Sequence, residues 1–372
     1  MAAARSILIA LAFVTGLWGV WRLAPLHPSP APAAITLEQQ GAPSGRALIA
    51  IEPSLSAHDY RSAQALEAAL SAYLDSAHDA GALEGAAIAV FPEHAGTWLA
   101  AANAQSGVYR AQTLDGAMAA LALSRPVGTL TSVIASPEPE RAAAGLFRAR
   151  GPAMARDYQA VFSALARRYG VTIVAGSIVL PDPRVENGQL SVNRAGPLYN
   201  VTAVFAPDGS LHRELVRKVY PIPSEAGFTA SAPPALPIFD TPAGALGVLI
   251  CADSWHPDVY AGLAGAPDLI AVPAFLQPTG VWDAPWGGYV TPWPDDAPRR
   301  DAGRLTEAEA WIAHSLPRRL ADTSAQLGVT AFARGAPWDL GADGQTLIAT
   351  PHSHQLGPRT PGGAVVVAWV GE

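Results

Sequence analysis

Half of the 372 residues are hydrophobic and 15 % are charged, enough apolar material for a sizeable α/β core and too much for global disorder. The formal charge of −7, with no basic stripe interleaved with aromatics, argues against nucleic-acid binding. A single cysteine, Cys251, excludes an intrachain disulfide framework and a cysteine-based zinc site.

Residues 1–34 read as a targeting element rather than part of the fold. Arg5 precedes an uncharged run from Ser6 to Trp21, closed by Arg22. Sixteen residues at ~1.5 Å each span about 24 Å, against ~30 Å for a hydrocarbon core, and snorkelling arginines can make up the difference. The expectation is a single membrane anchor; the alternative is a cleaved signal peptide with Ala31-Pro-Ala33 as its small-residue site. Pro25, Pro28, Pro30 and Pro32 form a semi-rigid spacer. The domain over 35–372 is then expected outside the cytoplasm, membrane-linked or, if the N-terminus is cleaved, secreted.

From Arg46 the globular pattern begins. Residues 47–51 are a predicted strand, and His58 to Ala80 a helix with Ala65, Leu66, Ala69, Leu70, Tyr73 and Leu74 at helical spacing. Residues 85–91 predict a second buried strand, left through Pro92-Glu93-His94. Helices are predicted over 115–123 and 155–169, a strand over 171–180, and a hairpin from Tyr199 to Val219 around Pro207-Asp-Gly209. Leu246 to Ile250 is a short buried strand that delivers Cys251 to its end, and Pro257 suits the first turn of a following helix. Nearby helix N–H dipoles would lower the thiol pKa and favour thiolate. Residues 268–273 predict another strand. Segment 276–305 breaks the rhythm, carrying Trp282, Trp286, Tyr289 and Trp293 with no clear period. A helix over 307–327 broken near Pro317, and strands at 329–333, 346–349 and 363–370, complete a mixed α/β layered fold.

Three strand ends carry reactive groups: Glu93, Lys218 and Cys251. A cysteine nucleophile needs a base, which a buried carboxylate can supply. A tetrahedral oxyanion needs a donor, which a lysine and a backbone amide can supply. Each residue taken singly also has a structural explanation, as a loop carboxylate, a solvated strand-end charge or a small core hydrophobe.

In that order, these residues resemble the Glu–Lys–Cys pattern of the carbon–nitrogen hydrolase (nitrilase) superfamily. The motifs are Val90-Phe-Pro-Glu93, Arg217-Lys-Val-Tyr-Pro221 with Glu225 beyond it, and Gly247-Val-Leu-Ile-Cys-Ala-Asp253 with Pro257 and Asp258. The hairpin 199–209 and Phe239-Asp-Thr-Pro-Ala-Gly244 add to the likeness, which spans about residues 46–370. It implies a four-layer α-β-β-α sandwich of the nitrilase type and a thiol-dependent, amidase-like hydrolase of non-peptide C–N bonds. Glu93 is the implied base, Cys251 the nucleophile, and Lys218 with the Ala252 N–H the oxyanion donors, with Glu225 auxiliary.

Ala252 stands where the family often has an aromatic residue and nitrilases carry Trp-Glu, which turns the expectation from nitriles toward amides. Trp255 stands where many amidase-like members have Arg; with Trp282 and Trp286 it suggests an aromatic substrate pocket. The implied partner is a small amide or acyl substrate; no cofactor or metal is implied, and homo-oligomers are common in the family. His352 and His354 read as a surface loop, whereas His94 and His256 flank the catalytic motifs as candidate supporting groups. Two rival readings stand beside hydrolysis: an N-acyltransferase related to apolipoprotein N-acyltransferase, and a non-catalytic scaffold of the same fold.

Overall fold

A computed structural model describes residues 31–124, 126–288 and 292–371. The apolar run from Ser6 to Trp21 and Tyr289 therefore lie outside the described residues. Along the chain, β1 (Ile35–Gln40), β2 (Arg46–Glu52), β3 (Ser54–Ser56) and β4 (Ala86–Val90) come first, with helix Ala63–Asp79 before β4. Helices Leu114–Ser124, Pro126–Ala135 and Arg141–Tyr169 lead to β5 (Thr172–Pro181), β6 (Pro183–Glu186), β7 (Gln189–Val192), β8 (Leu198–Phe205) and β9 (Val216–Arg217). Next are β10 (Ile238–Thr241), β11 (Gly244–Val248), helix Pro257–Ala261 and β12 (Leu269–Ala274). Helices Glu307–His314 and Leu316–Arg319 precede β13 (Leu327–Phe332), β14 (Arg334–Ala336), β15 (Leu347–Thr350), β16 (Ser353–Leu356) and β17 (Gly363–Trp369).

Two large sheets form, ordered β1-β17-β2-β4-β5-β8-β9 and β10-β11-β12-β13-β15-β16. They lie face to face, β13 against β2 and β12 against β4 and β5. Helices Ala63–Asp79 and Arg141–Tyr169 cover the outer face of the first sheet, and Leu316–Arg319 packs on the outer face of the second. The result is the expected α-β-β-α sandwich. Strand alternation explains why the central strands read as unbroken apolar runs. In β2, Ala47, Ile49 and Ile51 face the helix layer while Leu48 and Ala50 face the other sheet.

Several elements differ from expectation. The chain is already in the first sheet at Ile35, through β1 paired with β17. Helix Arg141–Tyr169 starts well before residue 155 and carries Pro152 in its interior. Its charged first half conceals buried arginines: Arg150 donates to the carbonyls of Ala100 and Ala102, and Arg148 to those of Arg194 and Gly196. The hairpin after β8 pairs only at β9 and a single Phe205–Leu211 bridge. His354 lies on the exposed edge strand β16 rather than in a loop.

The tryptophans at 255, 282 and 286 lie in the core. Trp255, Trp282 and Trp286 are 0–1 % exposed. Trp255 stacks on Trp286 at 5.3 Å and meets Trp311 at 5.2 Å; Trp282 packs edge-on against Phe332 at 5.4 Å. Backbone bonds from Trp286 N to Leu305 O and from Gly303 N to Trp286 O tie Gly303 and Leu305 to this core. These rings bury their large apolar area inside the second sheet's helix layer.

Candidate active site

Glu93, Cys251 and Phe275 follow the C-terminal ends of β4, β11 and β12, the end at which α/β sheets place their ligands. Lys218 directly follows β9. The structure brings all three motif residues and Glu225 together, each buried: Glu93 2 %, Lys218 0 %, Cys251 4 % and Glu225 4 % exposed. The Lys218 Nζ donates to Glu93 Oε1 at 2.7 Å and to Glu225 Oε2 at 2.5 Å. Asn200, fully buried on β8, donates from Nδ2 to Glu93 Oε1 at 2.8 Å and Glu225 Oε1 at 2.7 Å. His94 Nε2 lies 3.3 Å from Glu225 Oε1, and the Ile222 N–H donates to Glu225 Oε2.

Local geometry aims these groups. β5 carries a bulge between Val174 and Ser177, where Gly176 has φ +67°. A Cβ on Gly176 would stand 2.2 Å from the Pro92 carbonyl oxygen, so only glycine lets the Glu93 turn approach this closely. Ser177 then ties that turn down: its Oγ accepts from the His94 N–H at 2.9 Å and its carbonyl from the Gly96 N–H. Cys251 has φ +49° and His94 φ +61°, a left-handed backbone that non-glycine residues adopt at a cost and that clusters at functional sites. Asp253 couples the cysteine turn to the lysine strand. Its buried carboxylate accepts from the N–H groups of Val219 and Tyr220, immediately after Lys218.

The electrostatics follow from burial and these partners. Burial alone pulls the Lys218 ammonium down, but Glu225, Glu93 and Cys251 outweigh it and hold it well above the usual lysine range. Burial works against ionised Glu225, yet Lys218 and His94 keep its carboxyl well below the usual range. Burial pushes the Cys251 thiol up, and the Glu93 charge adds to this against the pull of Lys218. The direction is opposite to the one expected from helix dipoles, because burial and then a neighbouring carboxylate dominate. Glu93, His94 and Glu225 offer three ligand atoms within 4.8 Å of one another, but the Lys218 ammonium already bridges the two carboxylates.

Above Cys251 opens a cavity of about 590 Å³. Trp98, Met118, Phe147, Phe228, Phe275 and Leu340 are among its walls, and Glu93, His94 and Glu225 lie at its base with Cys251. Trp255, Trp282 and Trp286 are absent from this lining, so the expected pocket residues are core residues instead. Ala252 is the second residue of the 3-10 turn Cys251–Trp255, where first-turn N–H groups lack intrahelical partners. His256 stacks on Tyr220 at 3.7 Å, and burial lowers its pKa to about 4. Sequence reasoning missed Asn200, Ser177 and the Asp253 link; for Asn200 and Ser177 the signal was a polar residue within a largely apolar strand, and Asp253 lies in the turn after Cys251.

Two helix-flanked sheets packed face to face, with the site at their strand ends, define the class as a nitrilase-type α/β sandwich. The model of the carbon-nitrogen hydrolase family matches residues 61–286, more than half of the chain, and the chain belongs to that family and is a carbon–nitrogen hydrolase. No curated protein sequence matches it. Among solved structures, an amidase from Nesterenkonia sp. is similar at 15 % identity with TM-score 0.50, over 88 % of this chain and 91 % of that one. A mutant of the Nesterenkonia sp. AN1 amidase bearing the acetamide moiety of fluoroacetamide on its active-site cysteine matches at 14 % identity with TM-score 0.52, covering 87 % and 89 %. A further mutant of that amidase in complex with butyramide matches at 14 % identity with TM-score 0.50, covering 87 % and 90 %. At these identities the likeness shows the fold.

Proposed function

We propose that the protein hydrolyses a carboxamide through a thioester on Cys251. The observation that carries this reading is the buried cluster in which Lys218 bridges two carboxylates beside Cys251 at the base of an apolar cavity. Glu93 accepts the thiol proton as sulfur attacks the carbonyl carbon, so no free thiolate accumulates. Of the three Lys218 N–H donors, two serve Glu93 and Glu225; the third, with the Ala252 N–H, receives the oxyanion. Protonated Glu93 hands its proton to the leaving nitrogen, the C–N bond breaks, and amine departs. Glu93 then takes a proton from water as its oxygen attacks the thioester. The carboxylic acid leaves, and the proton returns to sulfur. Glu225 and Asn200 hold Lys218 and Glu93 in place and touch no reacting atom.

The walls of the cavity favour an amide with an apolar acyl portion, and the two mutants of one amidase, holding butyramide or the acetamide moiety of fluoroacetamide, support an amide over a nitrile. Acyl transfer to an amine uses the same thioester and differs only in whether water or amine reaches it. Ammonia release from a panel of amides, nitriles and ureas by the full chain, with Cys251→Ala beside it, tests the reading. Turnover of apolar amides that vanishes in the variant is expected. Turnover of nitriles alone, or turnover surviving in Cys251→Ala, would refute it.

A further inference from the structure

We infer that the hairpin formed by helices Leu114–Ser124 and Pro126–Ala135 is a lipid-docking face that opens the cavity onto a bilayer surface. Among the described residues, four large hydrophobics are markedly exposed, and three are on this hairpin: Leu123 62 %, Leu130 60 % and Ile134 69 %. Helix Pro126–Ala135 is turned the reverse way from a water-facing helix. Its Thr129 and Ser132 are buried, Val133 packs on Gly145 of the long helix, and Leu130 and Ile134 point outward. From Gly116 to Pro137 the sequence has one charged residue, Arg125. Among the described residues no single helix is long and apolar enough to cross a membrane; Leu114–Ser124 and Gly128–Ala135 reach that measure only together, bent by 113°. A bent apolar pair with Leu123, Leu130 and Ile134 outward suits insertion into one leaflet, not a crossing.

Two further observations choose a bilayer over a second copy of the chain. The hairpin stands at the cavity, since Leu114 and Met118 are part of its wall. The upstream chain also enters the fold at that end. Ile35 pairs beside Gly363 on β17, and Ala364 pairs opposite Glu52 at the finish of β2, which runs parallel to β4. The uncharged run from Ser6 to Trp21 is thus joined, through residues 22–34, to the same end of the sheet as Glu93. Thirteen residues can span at most about 45 Å, which bounds the distance between that run and this end of the sheet. An amide with a long apolar acyl chain can then pass from lipid to the cavity without crossing water; this last step rests on the amide-hydrolase reading.

The test uses the full chain with Cys251→Ala, reconstituted in phosphatidylcholine vesicles and labelled with an environment-sensitive fluorophore at Ile134→Cys. Arg213→Cys is the control, exposed beside the Phe205–Leu211 bridge at the opposite end of the sheet. Nitroxide-bearing lipid should quench the Ile134 probe at least threefold more than the Arg213 probe, with no loss in high salt. Equal quenching would overturn the inference, as would excimer formation between Ile134 probes without vesicle contact, which marks a dimer face. In the otherwise native chain, Leu123→Ser/Leu130→Ser/Ile134→Ser should slow turnover of a vesicle-borne long-chain amide about tenfold and leave a short soluble amide unchanged. Equal slowing of both would count against it. Absence of turnover of either amide by the native chain would refute the hydrolase reading alone, because the quenching contrast needs no catalysis.

Discussion

Asn200→Ala removes a neutral side chain that braces both carboxylates of the site. Two charge-assisted hydrogen bonds disappear, at 2.8 Å to Glu93 and 2.7 Å to Glu225. Bonds to charged groups contribute about 1.5–3 kcal/mol each, whereas a buried unpartnered polar atom costs roughly 1–3 kcal/mol. Asn200 Oδ1 is such an atom, buried without a partner, so its removal offsets part of the loss. The balance is a destabilisation of about 2–4 kcal/mol, read from the urea midpoint at constant m-value. Catalysis should suffer as well, because Glu93 is then held by Lys218 alone and its carboxylate can rotate away from sulfur. A fall in kcat with KM nearly unchanged is expected, together with a shift in the acid limb of the pH–rate profile. Asn200→Asp should be worse than Asn200→Ala, since it buries a third carboxylate among two. Asn200→Ala within 0.5 kcal/mol of wild type, with an unaltered pH profile, would refute the bracing role.

Gly176→Ala forces a Cβ to within 2.2 Å of the Pro92 carbonyl oxygen at φ +67°, and should cost about 1–2 kcal/mol in backbone strain and at least tenfold in kcat by displacing Glu93; unchanged kcat would contradict the close approach. Burial pushes the Asp253 carboxyl up to about 7, against the Tyr220 N–H, Lys218 and the Val219 N–H. A carboxyl with a raised folded pKa contributes fully below its unfolded value near 3.8 and loses that contribution as pH rises toward 7, by about 1.4 kcal/mol per unit. Asp253→Asn lacks this slope, so urea midpoints should show it gaining on wild type between those pH values; parallel profiles would refute it. Glu93→Gln removes a negative charge that raises the Cys251 pKa. Iodoacetamide should then label the thiol at lower pH than in wild type while amide turnover is lost, and an upward shift would contradict the assigned electrostatics.

The strands were legible where both faces are buried. Residues 47–51, 85–91 and 363–370 are apolar throughout because alternate side chains serve the helix layer and the facing sheet. The first half of helix Arg141–Tyr169 was not legible, because Arg148 and Arg150 look like surface charges and Pro152 like a helix end. Their guanidinium groups instead satisfy carbonyls across the fold, a long-range matter that periodicity does not encode. Glu93, Lys218 and Cys251 stood out by motif and order. Asn200 did not, because one amide inside a strand carries no sign of which carboxylates it will face. The tryptophans misled for a related reason: aromatic density foretells a large buried area, but not whether that area is a pocket wall or a core. The thiol misled because burial, and after it the charge of a carboxylate 158 positions away in sequence, pushes its pKa up.

The central claim is that an acyl group passes through Cys251 with Glu93 and Lys218 as its base and oxyanion partner. Acid-quenching the full chain during turnover of an apolar carboxamide, followed by peptide mass spectrometry, tests it most directly. The account predicts an added mass equal to the acyl group on the Cys251 peptide, absent in Cys251→Ala and reduced about 10²–10³-fold in its rate of formation in Lys218→Met. Turnover with no adduct on that peptide, persisting in Cys251→Ala, would contradict it.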